Sequence, residues 1–149
     1  MSDRYMGHVA RFADLDPTTL YALLRLRVDV FVVEQQCAYP ELDGRDTEPG
    51  TWHVWRSVDA DPVAYLRILD DGAAGVRIGR VVTAARHRGN GLAAMLMGQA
   101  VDLVRSRPAR LDAQTPVAGF YERYGFKVVG PEFVEDGIAH VPMERPADA

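Results

Sequence analysis

The sequence is poor in cysteine, in basic charge and in long apolar runs, and each shortage closes a class of function. One cysteine, Cys37, stands among 149 residues. No internal disulfide can form, so the chain suits a reducing compartment. The formal net charge is -4. A general nucleic-acid binder needs a basic surface to neutralise phosphates, and the chain as a whole offers none. No apolar run approaches the roughly 20 residues that span a bilayer. Met1-Ser2-Asp3-Arg4-Tyr5 has no apolar signal core. The expectation is a cytoplasmic protein with neither membrane nor nucleic acid as partner. His8, His53, His87 and His140 show no ligand spacing, so no metal is expected. Neither a linker-like stretch nor an internal repeat interrupts the chain.

What is present is the composition of a globular domain: 48% apolar and 26% charged residues. At this length that predicts one domain spanning residues 1–149. Gly7 to Phe12 reads as a short strand. Asp16 and Pro17 read as the cap and first position of a helix that carries Leu20, Leu23, Leu24 and Phe31 at helical spacing. Tyr39 to Gly50 is a polar, turn-rich loop. Trp52–Val58, Val63–Leu69 and Val76–Thr83 are strands separated by turns at Asp59–Pro62 and Asp70–Gly75, an antiparallel meander. Leu92, Ala93, Leu96, Ala100, Leu103 and Val104 mark a long helix that must end before Pro108. Leu111–Ala113 is a strand, and Val117–Tyr124 a short helix closed by Gly125. Lys127–Val129 and Ala139–Glu144 are the last strands, and Pro146–Ala149 a loose tail. Strands first and strand–helix alternation afterwards predict an α/β (α+β) fold, a mixed sheet with helices on both faces.

The chemistry concentrates where Arg86-His87-Arg88-Gly89-Asn90-Gly91 opens the long helix. The free N–H groups and dipole of a helix N-terminus attract an anion, and glycines let the backbone come close to a diphosphate. Arg86 and Arg88 add positive charge. Alone, the motif is equally a plain glycine-rich turn. A dinucleotide fingerprint would need a third glycine, and a Walker loop would need Gly-Lys-Ser/Thr; both are missing.

A second motif, Gly119-Phe120-Tyr121-Glu122-Arg123-Tyr124-Gly125-Phe126, follows downstream. In this order and at this separation the two motifs resemble the GNAT superfamily of acetyltransferases, whose phosphate loop reads Arg/Gln-x-x-Gly-x-Gly/Ala and whose later helix carries Phe-Tyr-x-x-x-Gly-Phe. The resemblance covers roughly Val63 to Val129. It implies a three-layer fold around a mixed, mostly antiparallel sheet, and acetyl-coenzyme A as the acyl donor. By position, Val81, Val82 and Thr83 would hydrogen-bond the pantetheine arm as an added strand. Arg86, His87, Arg88, Gly89, Asn90, Gly91, Leu92 and Ala93 would hold the diphosphate. Tyr121 falls where many members place the acid that protonates the leaving thiolate. A tyrosine near pKa 10 is within a unit or two of a thiol; the alternative is a packing aromatic. Where many members carry Asn seven positions earlier, this chain has Gln114, so that contact carries over weakly.

A narrower resemblance, to the ElaA-like subgroup, lies in the stretch from Val30 to Asp46 and in Glu135-Asp136-Gly137-Ile138-x-His140. It implies no settled substrate. The acceptor would be a small-molecule or peptide amine. Glu34, Glu41, Asp43 and Asp46 would favour a cationic amine, unless they form a solvated acidic loop. Tyr39, Trp52 and Trp55 either wall the pocket or sit in the core. His53 and His140 are candidate bases, as are Glu34 and Glu41 through a water, against the alternative of structural histidines. Cys37 has no activating pair nearby and reads as a small hydrophobe. Three readings stay open: direct acetyl transfer in a ternary complex, a non-catalytic acyl-coenzyme A sensor on the same fold, and O-acylation or use of a longer acyl donor. A homodimer fits the family habit.

Overall fold

The computed structural model describes residues 4–148; Met1, Ser2 and Asp3 of the N-terminal segment and Ala149 of the tail lie outside them. Strand β1 is Met6–Arg11. Helix α1, Pro17–Val28, begins as its sequence requires: Asp16 accepts from the Thr19 N–H at 2.8 Å and Pro17 takes the first helical position. The helix does not end at Val28. It widens into a π-helix, Asp29–Glu34, a rare geometry that recurs at functional sites.

Strands β2 (Trp52–Val58), β3 (Asp61–Asp70) and β4 (Val76–Thr83) form the expected antiparallel meander. Asp59 and Ala60, at φ 51° and 67°, make a two-residue hairpin turn tighter than the sequence suggests. Pro62 therefore lies inside β3, opposite Ser57 and beside a register slip between Arg56 and Ser57, the kind of irregularity at which strands accept proline.

Helix α2 is Leu92–Val104, and β5 is Ala109–Gln114. Helix α3 keeps only Ala118–Glu122: Val117 belongs to a 3-10 turn, Thr115–Val117, and Arg123 and Tyr124 already lie in the closing turn. Gly125, at φ 89°, closes it as expected. The chain ends in β6 (Lys127–Val128), β7 (Phe133–Glu135) and β8 (Ile138–Arg145). Strand β7 was not foreseen. Asp136 and Gly137, at φ 52° and 78°, fold it onto β8 through a tight turn.

The eight strands form one sheet in the order β1-β2-β3-β4-β5-β8-β6, with β7 also on β8. Only β4 and β5 run parallel. Strand β3 is buried from Pro62 to Leu69, which demands cover on both faces. On one face Arg27 of α1 reaches the Tyr65 hydroxyl. On the other, α2 packs on β2, β3 and β4 with Leu96, Met97 and Ala100 fully enclosed. The tail is not loose up to Asp148. The Asp148 N–H donates to the Arg105 carbonyl at 2.9 Å, and its carboxylate pairs with Arg105 and Arg145.

Candidate functional site

The side of the cavity expected to take the acyl donor starts with a parallel pair that stops early. Strands β4 and β5 pair only at Val76–Ala109 and Arg77–Arg110. Beyond that point they part, and Ile78–Thr83 keeps a free edge toward β5. The opening is part of a cavity of about 880 Å³. Inside β4 the register against β3 slips between Tyr65 and Arg67, so Arg80 and Val81 together oppose Leu66. Arg80 sits there at φ 54°, a strained setting for a residue with a side chain. Its Nε donates to Glu41 Oε2 at 2.9 Å and its Nη2 to the Glu41 carbonyl at 3.0 Å. The bulge is thus held from the long loop.

Strand β4 runs into the glycine loop. Gly89 and Gly91 lie at φ 82° and 73°, and a Cβ on either would point into open space. Gly91 caps α2 with no side-chain acceptor, so the first-turn N–H groups remain unspent on side chains. Asn90 fastens the loop by donating to the His87 carbonyl at 2.9 Å. The His87 ring meets the Tyr5 hydroxyl at 3.2 Å. Val81, Val82, Thr83, His87, Arg88, Gly89, Gly91, Leu92, Ala93 and Gln114 all border the cavity. Arg86 does not: it pairs with Asp61 at 2.9 Å, beside a separate, smaller hollow. Arg88 borders the cavity but grips Glu34 through both terminal nitrogens, at 2.5 and 2.9 Å. That contact holds the Glu34 carboxyl below its ordinary range. Arg123, unremarked in the sequence, also borders the cavity and has no hydrogen-bond partner among the described residues. The Tyr124 hydroxyl bonds the Ala94 carbonyl, which ties α3 to the first turn of α2.

Tyr121 borders the same cavity and is 9% exposed, edge-on to Phe120. Burial pushes its hydroxyl up to about 12. The near match to a thiol argued from an unshifted tyrosine is therefore loosened. The hydroxyl keeps its proton at any working pH and has no protein acceptor among the described residues.

On the acceptor side the proposed bases part company. Glu41 is buried at 3% exposure and spends its carboxylate on Arg27 at 2.7 Å, on Arg80 and on the Tyr39 hydroxyl. His53, at 1% exposure, uses both ring nitrogens, one on the Tyr65 hydroxyl at 2.7 Å and one on the Asp46 carbonyl at 3.0 Å. Burial holds it neutral, with its pKa lowered. Neither residue borders the cavity, so His53 and Glu41 are structural. Glu34 lies on the outer hollow and serves Arg88. His140 and Tyr39 do border the cavity. His140 stacks on Phe133, and its Nδ1–H donates to the Ile138 carbonyl at 2.8 Å. That tautomer leaves Nε2 with a lone pair. Trp55 is core, stacked on His8, and Trp52 lies under Arg11; neither borders the cavity. Cys37 is partly buried and its thiol leans toward the Asp136 carbonyl.

The acidic loop is neutralised from within. Arg27, 1% exposed, holds Asp46 at 2.8 and 3.1 Å. Arg67, 3% exposed, holds Asp43 at 2.5 and 2.9 Å and Asp46 at 3.1 Å. The Arg67 guanidinium keeps Asp43 well below the usual carboxylate range. The signal for this cluster was in the sequence: Arg67 interrupts the apolar run of a central strand, and a buried charge must be paired.

With this geometry in hand, known proteins fit. The family model described as an acetyltransferase (GNAT) domain matches residues 25–146. A UPF0039 protein of Mycobacterium tuberculosis is 47% identical over 137 residues, 89% of this chain and 88% of that one. Escherichia coli ElaA is 38% identical over 139 residues, 89% of this chain and 91% of that one. An acyl-CoA N-acyltransferase from Pseudomonas aeruginosa superposes with a TM-score of 0.91 at 41% identity, covering 95% of this chain and 99% of that one.

Proposed function

The chain belongs to the GNAT acetyltransferase family, and from that premise we propose that it moves an acetyl group from acetyl-coenzyme A to an amine in a ternary complex. One observation carries the reading. The unpaired edge of β4 from Ile78 to Thr83 leads straight into an uncapped helix N-terminus. A pantetheine arm needs the first and a diphosphate the second. Gly89 and Gly91 leave the room such a group requires. Among the described residues no helix is long and apolar enough to cross a membrane. We place the reaction in the cytoplasm, with residues 1–149 acting as one domain.

Acetyl-coenzyme A, when bound, supplies the activated acetyl group as a thioester. Val81, Val82 and Thr83 bind its arm through the backbone. His87, Gly89, Gly91, Leu92 and Ala93 take the diphosphate, with Arg123 as an additional cation and Gln114 facing the arm from β5. A backbone N–H near Val82 donates to the thioester oxygen as negative charge develops on it. His140 Nε2 takes the proton of the attacking amine. Tyr121 donates its hydroxyl hydrogen to the departing sulfur. Full transfer from a hydroxyl near 12 to a thiolate near 8.5 is uphill by about 5 kcal/mol, so Tyr121 acts chiefly by hydrogen bonding. Arg86, Arg88, Asn90 and Glu34 shape the loop through their protein partners. Calorimetric titration with acetyl-coenzyme A, followed by thiol release in the presence of amines, tests this reading. Binding followed by amine-dependent release supports it, and absence of binding refutes it.

A further inference from the structure

The sequence expectation of a cationic acceptor rested on the loop acids, and these are spent. Glu41, Asp43 and Asp46 are bound by Arg27, Arg67 and Arg80. Asp71 is bound by Arg45 and Arg110 at 2.9 Å each. What the cavity floor presents instead is surplus guanidinium.

That surplus surrounds a gap. Gly79 lies on β4, borders the cavity and would place a Cβ in open space. Its φ is ordinary, so nothing in the backbone asks for glycine. Strand alternation puts it on the same face as Arg77, two residues back, and as Arg67, its partner across β3. Arg67 is buried and its Nε has no acceptor. Arg77 makes a single hydrogen bond, to Asp112 at 3.1 Å, and a longer ion pair with Asp71 at 3.9 Å; its guanidinium is about one-third exposed and keeps further N–H groups without an acceptor. A planar guanidinium with unused N–H groups beside an empty notch is suited to a carboxylate. Across the cavity the pattern reverses. Glu135 and Asp136, which have no cationic partner among the described residues, form the rim next to His140. A floor of arginine and a rim of free carboxylate orient a zwitterion in one direction.

We propose that the acceptor is amino-acid-like: an amine bearing a carboxylate, with the carboxylate seated in the notch over Gly79 beside Arg77 and the nitrogen toward His140. The proposal rests on the acetyl-transfer reading above. An amine without the carboxylate, or a polyamine, meets the arginines with nothing to offer them.

The test is thiol release from acetyl-coenzyme A with the twenty common amino acids, each beside its carboxamide, and with spermidine. The expected result is at least one amino acid preferred over its carboxamide by about tenfold or more in kcat/KM, the size of one charge-assisted contact. Arg77→Ala then raises KM for that amino acid about tenfold and leaves KM for its carboxamide and for acetyl-coenzyme A within about threefold. Gly79→Val raises KM for both members of the pair by filling the notch. A carboxamide or spermidine preferred over every amino acid overturns the proposal. So does an Arg77→Ala effect equal on both members, or no turnover of any amino acid by a chain that binds acetyl-coenzyme A. A chain that fails calorimetrically to bind acetyl-coenzyme A loses both readings, and that failure is distinct from the others.

Discussion

The two sides of the cavity are built from different materials. The donor side is backbone: an unpaired strand edge, two left-handed glycines and a helix N-terminus. The proposed acceptor side is side chain: Arg67, Arg80 and Asp43 border the cavity, and behind them Arg27, Glu41 and Asp46 lock the long loop to α1 and the sheet. A backbone site tolerates sequence change as long as its turns survive. A site of interlocked charges does not, because removing one partner strands the others in low dielectric. The lesson is that the donor surface follows from local chain geometry, whereas the acceptor surface exists only after the loop has docked.

The contrast is broken most severely at Arg27. Arg27→Ala leaves Glu41 and Asp46 buried without their main partner, and unfolding by denaturant should show a loss of about 3–5 kcal/mol. A loss under about 1 kcal/mol would mean that the cluster is not the loop's anchor. Next is Tyr121→Phe on the donor side. Turnover should fall by about 10- to 100-fold, the range of one lost donor at developing charge, with acetyl-coenzyme A affinity nearly unchanged. Unaltered turnover would reduce Tyr121 to a packing aromatic. The pH–rate profile should also show no ionisation from Tyr121 below about 10, since burial has pushed it up to about 12.

Arg80 joins the two sides and sharpens the comparison. Both Arg80→Gly and Arg80→Ala lose the ion pair with Glu41, but only glycine is content with φ 54°, so alanine keeps the strain. The alanine variant should be the less stable of the two by about 1 kcal/mol and the poorer binder of acetyl-coenzyme A. Equal behaviour would deny the bulge its role. The smallest effect is at His53, whose pKa is lowered in the folded state. Its contribution is complete above the unfolded value near 6.5 and declines as pH falls toward the lower folded value. His53→Gln should flatten the stability slope just below about pH 6.5, and an unchanged slope would assign that leg elsewhere.

The same contrast explains what could be read in advance. The cap at Asp16, the meander, the helix after Gly91 and the turn at Gly125 are local, set by a few adjacent residues, and they stand where the sequence puts them. Strand β7 was missed although Asp136-Gly137 is itself a hairpin signal. The π-helix from Asp29 to Glu34 has no local signature in the sequence; Val30 is its buried residue. The acidic loop was read by sign alone. Its arginine partners lie 14 to 39 positions away, so Glu41 looks like a base in the sequence and is structural in the fold; His53 does too, spent on Tyr65 and the Asp46 carbonyl. Arg67 and Arg77 carry no sequence signal of their partners for the same reason, these lying 21 to 35 positions away.

Hydrogen exchange of the β4 amides, with and without acetyl-coenzyme A, tests the central claim most directly. If the arm of the donor completes the sheet where β4 leaves β5, exchange within Ile78–Thr83 slows on adding acetyl-coenzyme A, together with the first turn of α2, while β1 and β6 are unaffected. Exchange in Ile78–Thr83 that stays the same at saturating acetyl-coenzyme A would contradict it.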